Sequence, residues 1–241
     1  KLIFQAAEET CHGAEYYVEA GILDGVDAIM GQHVWGTLEE PYINVQAGPR
    51  MASVDNFVIK VDGVSAHGTQ PHLGVDALLA AAAIGEMHAG QRYNIIANHA
   101  ELFGTTRTYN AEFRMKIEAG LRRIAENTAK AFGATATVEY DYYANSLYND
   151  DEELNKIAHD AAVKLYGEAC LKELPQMMGS EDFAFFADKI PAVFGFLGTR
   201  NEELGMTVGN HNDRYTVHEP VLQRGAALYA QFAADYLERG K

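Results

Sequence analysis

Apolar residues change their spacing twice along this chain, and each change marks a passage from one kind of layer to another. The first stretch mixes short apolar runs with helical periods. Residues 2–4 predict a buried strand, 14–20 a helix stopped by Gly21, and 28–34 a second strand. Strand and helix in that order open an α/β layer with a mostly parallel sheet. From about Asp55 the period shortens to two. Phe57, Ile59 and Val61 alternate with Val58, Lys60 and Asp62, as in an antiparallel strand with one face buried. Residues 75–83 predict a helix, 101–109 a Thr-rich strand, 112–132 a long helix and 134–143 another alternating strand. In the long helix Phe113, Ile117, Leu121, Ile124 and Phe132 are assigned to the buried face, and Gly133 ends it. After Asn149 the α/β texture returns. A helix over 152–166 closes at Gly167, a buried strand covers 192–197, and a helix over 221–237 has Pro220 at its first turn.

The expected fold is therefore α/β, interrupted by an inserted ferredoxin-like α+β layer. The boundaries fall at 1–53 for the first part of the α/β domain, 54–148 for the insertion and 149–241 for the second part. A central strand rarely opens a natural chain, and residue 1 is Lys rather than Met. The expectation is that further sequence precedes it.

Composition narrows the choice of function. Apolar residues make up 48% and charged residues 22%, as in an ordinary globular protein. Nineteen Lys and Arg stand against 34 Asp and Glu, a formal charge of −15. Such a surface repels phosphate backbones and anionic lipid, which argues against nucleic-acid and membrane partners. The run 77–84 is too short to span a bilayer. Cys11 and Cys170 match neither a zinc ribbon nor a redox pair, so a reduced, cytoplasmic protein is expected.

Phosphate-binding and dinucleotide-binding glycine loops, the Gly-x-Ser-x-Gly elbow and His-Glu-x-x-His are all missing from the sequence. Carboxylates and histidines near predicted strand ends remain. Glu8-Glu9 follows the first strand, where ligands bind in α/β sheets. One of the two could hold a metal while the other handles a proton; equally, both could be solvated acids ahead of a helix. His33, beside Trp35, closes the second strand, as a ligand or as a core histidine. His211 lies in the polar turn Gly209-Asn210-His211-Asn212-Asp213, where surface histidines are common. His67 and His72 share one strand-to-helix connection, Asn94 lies in another, and Arg107 is a strand arginine of the kind that grips carboxylates.

The order of these residues resembles one family. Phe4-Gln5-Ala6-Ala7-Glu8-Glu9 and Gly31-Gln32-His33-Val34-Trp35 are similar to segments of the M20 metallopeptidases. The subgroup is that of amidohydrolases acting on N-acyl amino acids, hippurate and auxin–amino acid conjugates. The likeness runs on through Gly48-Pro49-Arg50, His67 to His72, Asn94, Gly104-Thr105-Thr106-Arg107, Gly179-Ser180-Glu181-Asp182-Phe183 and His211, essentially the whole chain.

The resemblance implies Glu8 as general base and Glu9, His33 and His211 as ligands of two divalent ions (Zn, Mn, Ni or Co). It also implies that His67 polarises the substrate carbonyl across a homodimer formed by the inserted domain, while Asn94 and Arg107 hold the substrate carboxylate. The implied reaction is hydrolysis of a small linear amide by metal-activated water. Glu181 and Asp182 read as structural helix-start residues. Three departures stand out. The family's upstream histidine and bridging ligand are absent, leaving an incomplete ligand set; Cys11-His12 replaces glycines; and a segment is missing near residues 83–84. The rival readings are a dipeptidase or aminoacylase of the same family and a non-catalytic dimerising remnant.

Overall fold

The computed structural model describes residues 1–67, 69–70, 73–75, 77 and 86–239. It divides into two compact units. One contains residues 1–51, 147–177 and 181–241; the other contains 52–146 and the short segment 178–180.

The first unit is a mixed α/β layer. Helix α1 (Gly13–Glu19) is followed by β1 (Ile29–Glu39), β2 (Ile43–Asn44) and β3 (Gly48–Met51), the last paired antiparallel with β8 (Leu147–Asn149). Strand β9 (Ala192–Arg200) lies between β1, to which it is parallel, and β2, to which it is antiparallel. It is buried from Ala192 through Thr199, as its unbroken apolar run demands. Helices α3 (Glu152–Tyr166) and α5 (Leu222–Glu238) pack on it through Leu154, Ala158, Ala161, Ala162, Leu228 and Phe232. Small alanines on α3 let that helix come close. Asp151 caps it by accepting from Leu154 N at 2.8 Å, and Gly167 ends it.

Two expectations fail in this unit. Residues 1–7 form neither helix nor strand, and Leu2 and Phe4 are 80% and 86% exposed. No strand of the β1–β9–β2 sheet pairs with them. Their backbone is tied instead by the Tyr17 hydroxyl, which donates to Phe4 O at 3.0 Å. Strand β1 also runs on to Glu39, because Trp35 and Glu39 still find ladder partners in β9. His33 therefore sits in mid-strand rather than at a strand end.

The second unit has a four-stranded antiparallel sheet in the order β5–β6–β4–β7. Its strands are β4 (Ser53–Asp62), β5 (Glu86–Ala89), β6 (His99–Thr108) and β7 (Thr135–Tyr142). The alternation in β4 is real: Phe57, Ile59 and Val61 are buried with Leu102 and Val138 in this unit's core. Helix α2 (Ala111–Ala131) is capped by Asn110, which accepts from Phe113 N at 2.7 Å. The helix expected over 75–83 and the join near 83–84 fall mostly outside the described residues.

The face of α2 differs from the expected one. Of the expected residues Leu121 packs on the core and Ile117 is half-buried, but Phe113, Ile124 and Phe132 are 56%, 56% and 48% exposed, while Arg114 and Ala129 are buried and Ala125 packs on the core. The difference has an electrostatic cause. Asp55, fully buried on β4, accepts from Arg114 Nε at 2.9 Å on both of its oxygens and from Nη2. Tyr140 O–H adds a bond to Oδ2 at 2.9 Å. Turning α2 to bury Phe113 would strand that carboxylate. Replacing one partner of such a pair costs about 3–5 kcal/mol. Arg114→Met should accordingly lower the unfolding free energy of this unit by about that amount in urea titrations. A loss under about 1 kcal/mol would show that the pair does not set the helix rotation.

Candidate functional site

Glu8 and Glu9 occupy a single 3₁₀ turn, Glu8–Thr10, in the first unit. The loop closes tightly: a Cβ on Gly13 would lie 1.8 Å from Ala6 O, so only glycine fits where α1 begins. Asp182, buried just ahead of α4 (Ala184–Ala187), reaches back to this loop. Its Oδ2 accepts from Ala14 N at 2.9 Å, its Oδ1 accepts from Gln5 Nε2, and its backbone N–H donates to the Glu8 carboxylate. Burial, then the Glu9 and Asp182 charges, push the Glu8 carboxyl up to about 7.

His33 stands on β1 opposite Phe196 of β9. Its ring meets Trp35 edge-on at 5.5 Å, and Phe196 lies 5.0 Å from Trp35. Residues 31, 33 and 35 share one face of the strand. Gly31 leaves room for Phe183 and Phe194, since a Cβ there would meet both rings at 2.7–2.8 Å. The Gly-x-His-x-Trp spacing thus seats the histidine on an aromatic wall. His33 Nδ1 donates to Val34 O, and burial holds the imidazole below its ordinary pKa. The neutral ring keeps its lone pair on Nε2.

His211 lies on a loop that returns to the same strand. Asn210 Nδ2 donates to Val34 O at 3.0 Å and its Oδ1 accepts from Gly36 N at 2.8 Å. His33 and Asn210 therefore share one carbonyl. His211 itself has φ 64, a left-handed conformation that histidine tolerates better than most residues. Its Nδ1 is 3.7 Å from Glu9 Oε2. Glu9 and His211 both act electrostatically on His33, and Glu8 feels both as well. The structure brings Glu8, Glu9, His33 and His211 together at one place.

The remaining candidates lie in the second unit. His67 Nδ1 accepts from Thr69 N at 3.3 Å and lies 2.8 Å from Thr69 Oγ1, so its Nε2 carries the proton. His67 is bridged to Ile95, and Ile96 N donates to Ala66 O at 2.8 Å, which brings Asn94 alongside. Arg107 is exposed on β6 rather than pointing inward; its Nη1 donates to Met178 O and Ser180 Oγ, each at 3.1 Å. His72 falls outside the described residues.

Glu9, His33 and His211 form a donor set of one carboxylate and two imidazoles, which suits Zn, Mn, Co or Ni. A ligating histidine normally has its other nitrogen tied to a carbonyl, as His33 does. The acids Glu8, Glu181 and Asp182 also lie within 4.8 Å of one another. That group does not fit a cation, because Asp182 is already committed to two amide donors and Glu181 Oε1 accepts from Phe183 N at 3.2 Å. Asp182, Gln5 and Asn210 escaped the sequence reading as supports of the site. The signal for Asn210 was its place beside His211; Asp182 was read as capping its own helix, whereas it holds α1.

Comparison with known proteins follows the same residues. Residues 1–235 match the family model of Peptidase family M20/M25/M40. N-acetylcysteine deacetylase of Bacillus subtilis (strain 168) is 34% identical over 260 residues, covering 99% of this chain and 66% of that protein. Thermostable carboxypeptidase 1 of Saccharolobus solfataricus is 32% identical over 264 residues, 98% of this chain and 65% of its own length. A crystal structure of the Bacillus subtilis YXEP protein, described as a dinuclear metal-binding peptidase from the M20 family, gives a TM-score of 0.83 at 34% identity. That match covers 98% of this chain and 64% of the other. The chain spans just under two thirds of these relatives' lengths. Among the described residues no helix is long and apolar enough to cross a membrane. With the family model matched along nearly its whole length, this chain belongs to peptidase family M20/M25/M40.

Proposed function

We propose that this protein hydrolyses the amide bond of N-acyl amino acids or similar small linear amides with the help of two divalent metal ions, Glu8 being the general base. One observation carries the reading. A carboxyl raised to about 7 lies directly beside a carboxylate and two imidazoles able to hold metal. The names of the relatives, a deacetylase and a carboxypeptidase, agree with amide hydrolysis.

Glu9 and His211 would share one ion and His33 would bind the other. When bound, the ions supply Lewis acidity and lower the pKa of water, which makes a nucleophile available at neutral pH. Glu8 takes a proton from the attacking water as its oxygen bonds to the amide carbon. The C–N bond then breaks, and Glu8 returns the proton to the departing amine. A carboxyl near 7 suits both transfers, because neither protonation state is strongly disfavoured. His67 presents an Nε2–H that would donate to the carbonyl oxygen as negative charge grows there. Asn94 and the forked guanidinium of Arg107 would hold the substrate's carboxylate. We further infer that the first unit is the catalytic domain. The second unit is read as a ferredoxin-like insertion that pairs with its copy in a homodimer. Its helix α2 leaves Phe113, Ile124 and Phe132 in solvent, an apolar stripe that a second copy would cover.

In the full-length protein Glu8→Gln should keep its metal, measured by elemental analysis, and lose at least about two decades of kcat. Near wild-type turnover would remove Glu8 from its role. Arg107→Lys should chiefly raise KM for an N-acyl amino acid while leaving that for its carboxamide alone. Equal effects on acid and carboxamide would make Arg107 structural. If His67 serves the neighbour's site, mixing Glu8→Gln with His67→Ala subunits should restore part of the activity. No recovery in mixed dimers would place His67 elsewhere.

A further inference from the structure

The loop that carries Glu8 and Glu9 has bonds of its own, from Thr10 to Ala7 O and from Cys11 N to Glu8 O, but it is also held from outside. Ala7 and Cys11, on either side of the 3₁₀ turn, have φ 61 and 55, the left-handed region that non-glycine residues avoid. Such a conformation persists only where surrounding contacts over-determine it. Asp182 supplies contacts of that kind from far along the chain. Gln5 precedes the turn and Ala14 follows it, and the Asp182 carboxylate is bonded to both. The Asp182 backbone N–H meets the Glu8 carboxylate between them.

Glu181 completes the arrangement. It is 4% exposed, Asp182 is 0% exposed, and their carboxyl oxygens lie within 4.8 Å of each other and of Glu8. Three carboxylates at that spacing, two of them buried and Glu8 half-buried, cannot all be ionised. Asp182 receives amide donors on both of its oxygens, which favours its anion. Glu181 accepts one amide bond on Oε1, from Phe183, and its carboxyl is hydrogen-bonded to that of Asp182. Given the reading of Glu8 as the base, we propose that Asp182 is the positioning residue for Glu8. It clamps both ends of the Glu8–Glu9 loop, with Glu181 as a neutral carboxyl that donates to it. Burial and the Glu8 charge push Glu181 up to about 8; burial raises Asp182 as well, while its bonds to Ala14, Gln5 and Glu181 pull the other way and favour its anion.

The test uses the metal-loaded full-length protein and an N-acetyl amino acid. A misplaced general base costs turnover rather than substrate binding. Asp182→Asn, which sets an amide against the Ala14 N–H, should lower kcat by roughly tenfold to a hundredfold with KM within about twofold. Glu181→Ala should lose kcat similarly, and Glu181→Gln, which keeps a donor, should recover most of that loss. An Asp182→Asn enzyme with wild-type kcat, or a Glu181→Gln enzyme no better than Glu181→Ala, overturns the proposal.

A second measurement is independent of the catalytic role of Glu8. The groups facing Glu181 are Glu8, Asp182 and Tyr229. Its folded pKa, about 8, lies above the ordinary 4.5, so the folded chain binds the extra proton between those values. The associated stability is full at low pH and lost as pH rises through about 8. The wild-type thermal midpoint should fall across that window more steeply than that of Glu181→Gln. Equal slopes would overturn the neutral carboxyl even if Asp182→Asn fails to fold. A wild-type kcat in Glu8→Gln with unequal slopes would instead reject the Glu8 reading alone.

Discussion

The Asp182 carboxylate is the restraint around which the first unit's chemistry is arranged. Without it the loop from Ala6 to Gly13 would have two left-handed residues, a tight closure and no outside partner for Ala14 N. Because Asp182 is followed at once by Phe183, the same short segment also packs against Gly31 and Phe194 beneath His33. The loop of Glu8 and the strand of His33 are thereby referred to one stretch of chain. His211 is referred to that strand through Asn210 and the Val34 carbonyl. Geometry among residues far apart in sequence thus rests on the bonds of Asp182 and Asn210 to backbone and on the aromatic packing of Phe183.

The two units answer the cost of burying an acid in different ways. In the second, Asp55 keeps its charge and is matched by a guanidinium, a tyrosine hydroxyl and the sheet around it. In the first, no cation is bonded to Glu181 or Asp182 among the described residues, and a shared proton takes its place. The first solution is a direct pairing of opposite charges. The second is tied to proton concentration, and it lies next to a group meant to exchange protons.

Much of this was legible in the sequence, and the failures are physical. Helices α3 and α5 and the buried strand β9 follow from periodicity because their packing is local and apolar. The rotation of α2 did not follow, because hydropathy ranks Phe113 above Arg114 and cannot see Asp55 across the sheet. Residues 2–4 have the composition of a strand, yet strand formation needs a neighbour that composition does not supply. Glu8, Glu9, His33 and His211 were found from their order along the chain. Asp182 was mistaken for a cap of its own helix, since a side chain reaching back 168 residues leaves no local trace.

The division of the chain at residues 177–181 has a practical side. Residues 52–146 form one continuous piece and look like a module that could be moved or expressed alone. Their unit, however, also owns the tripeptide Met178-Gly179-Ser180, delivered from much later in the sequence. That tripeptide supplies Gly179 O to Ala52 N and two acceptors to Arg107. A graft cut at the obvious boundaries would carry the arginine without its tether. Its guanidinium would be free to rotate, and a transplanted module would lose the orientation that makes a forked cation selective for a carboxylate over any other anion.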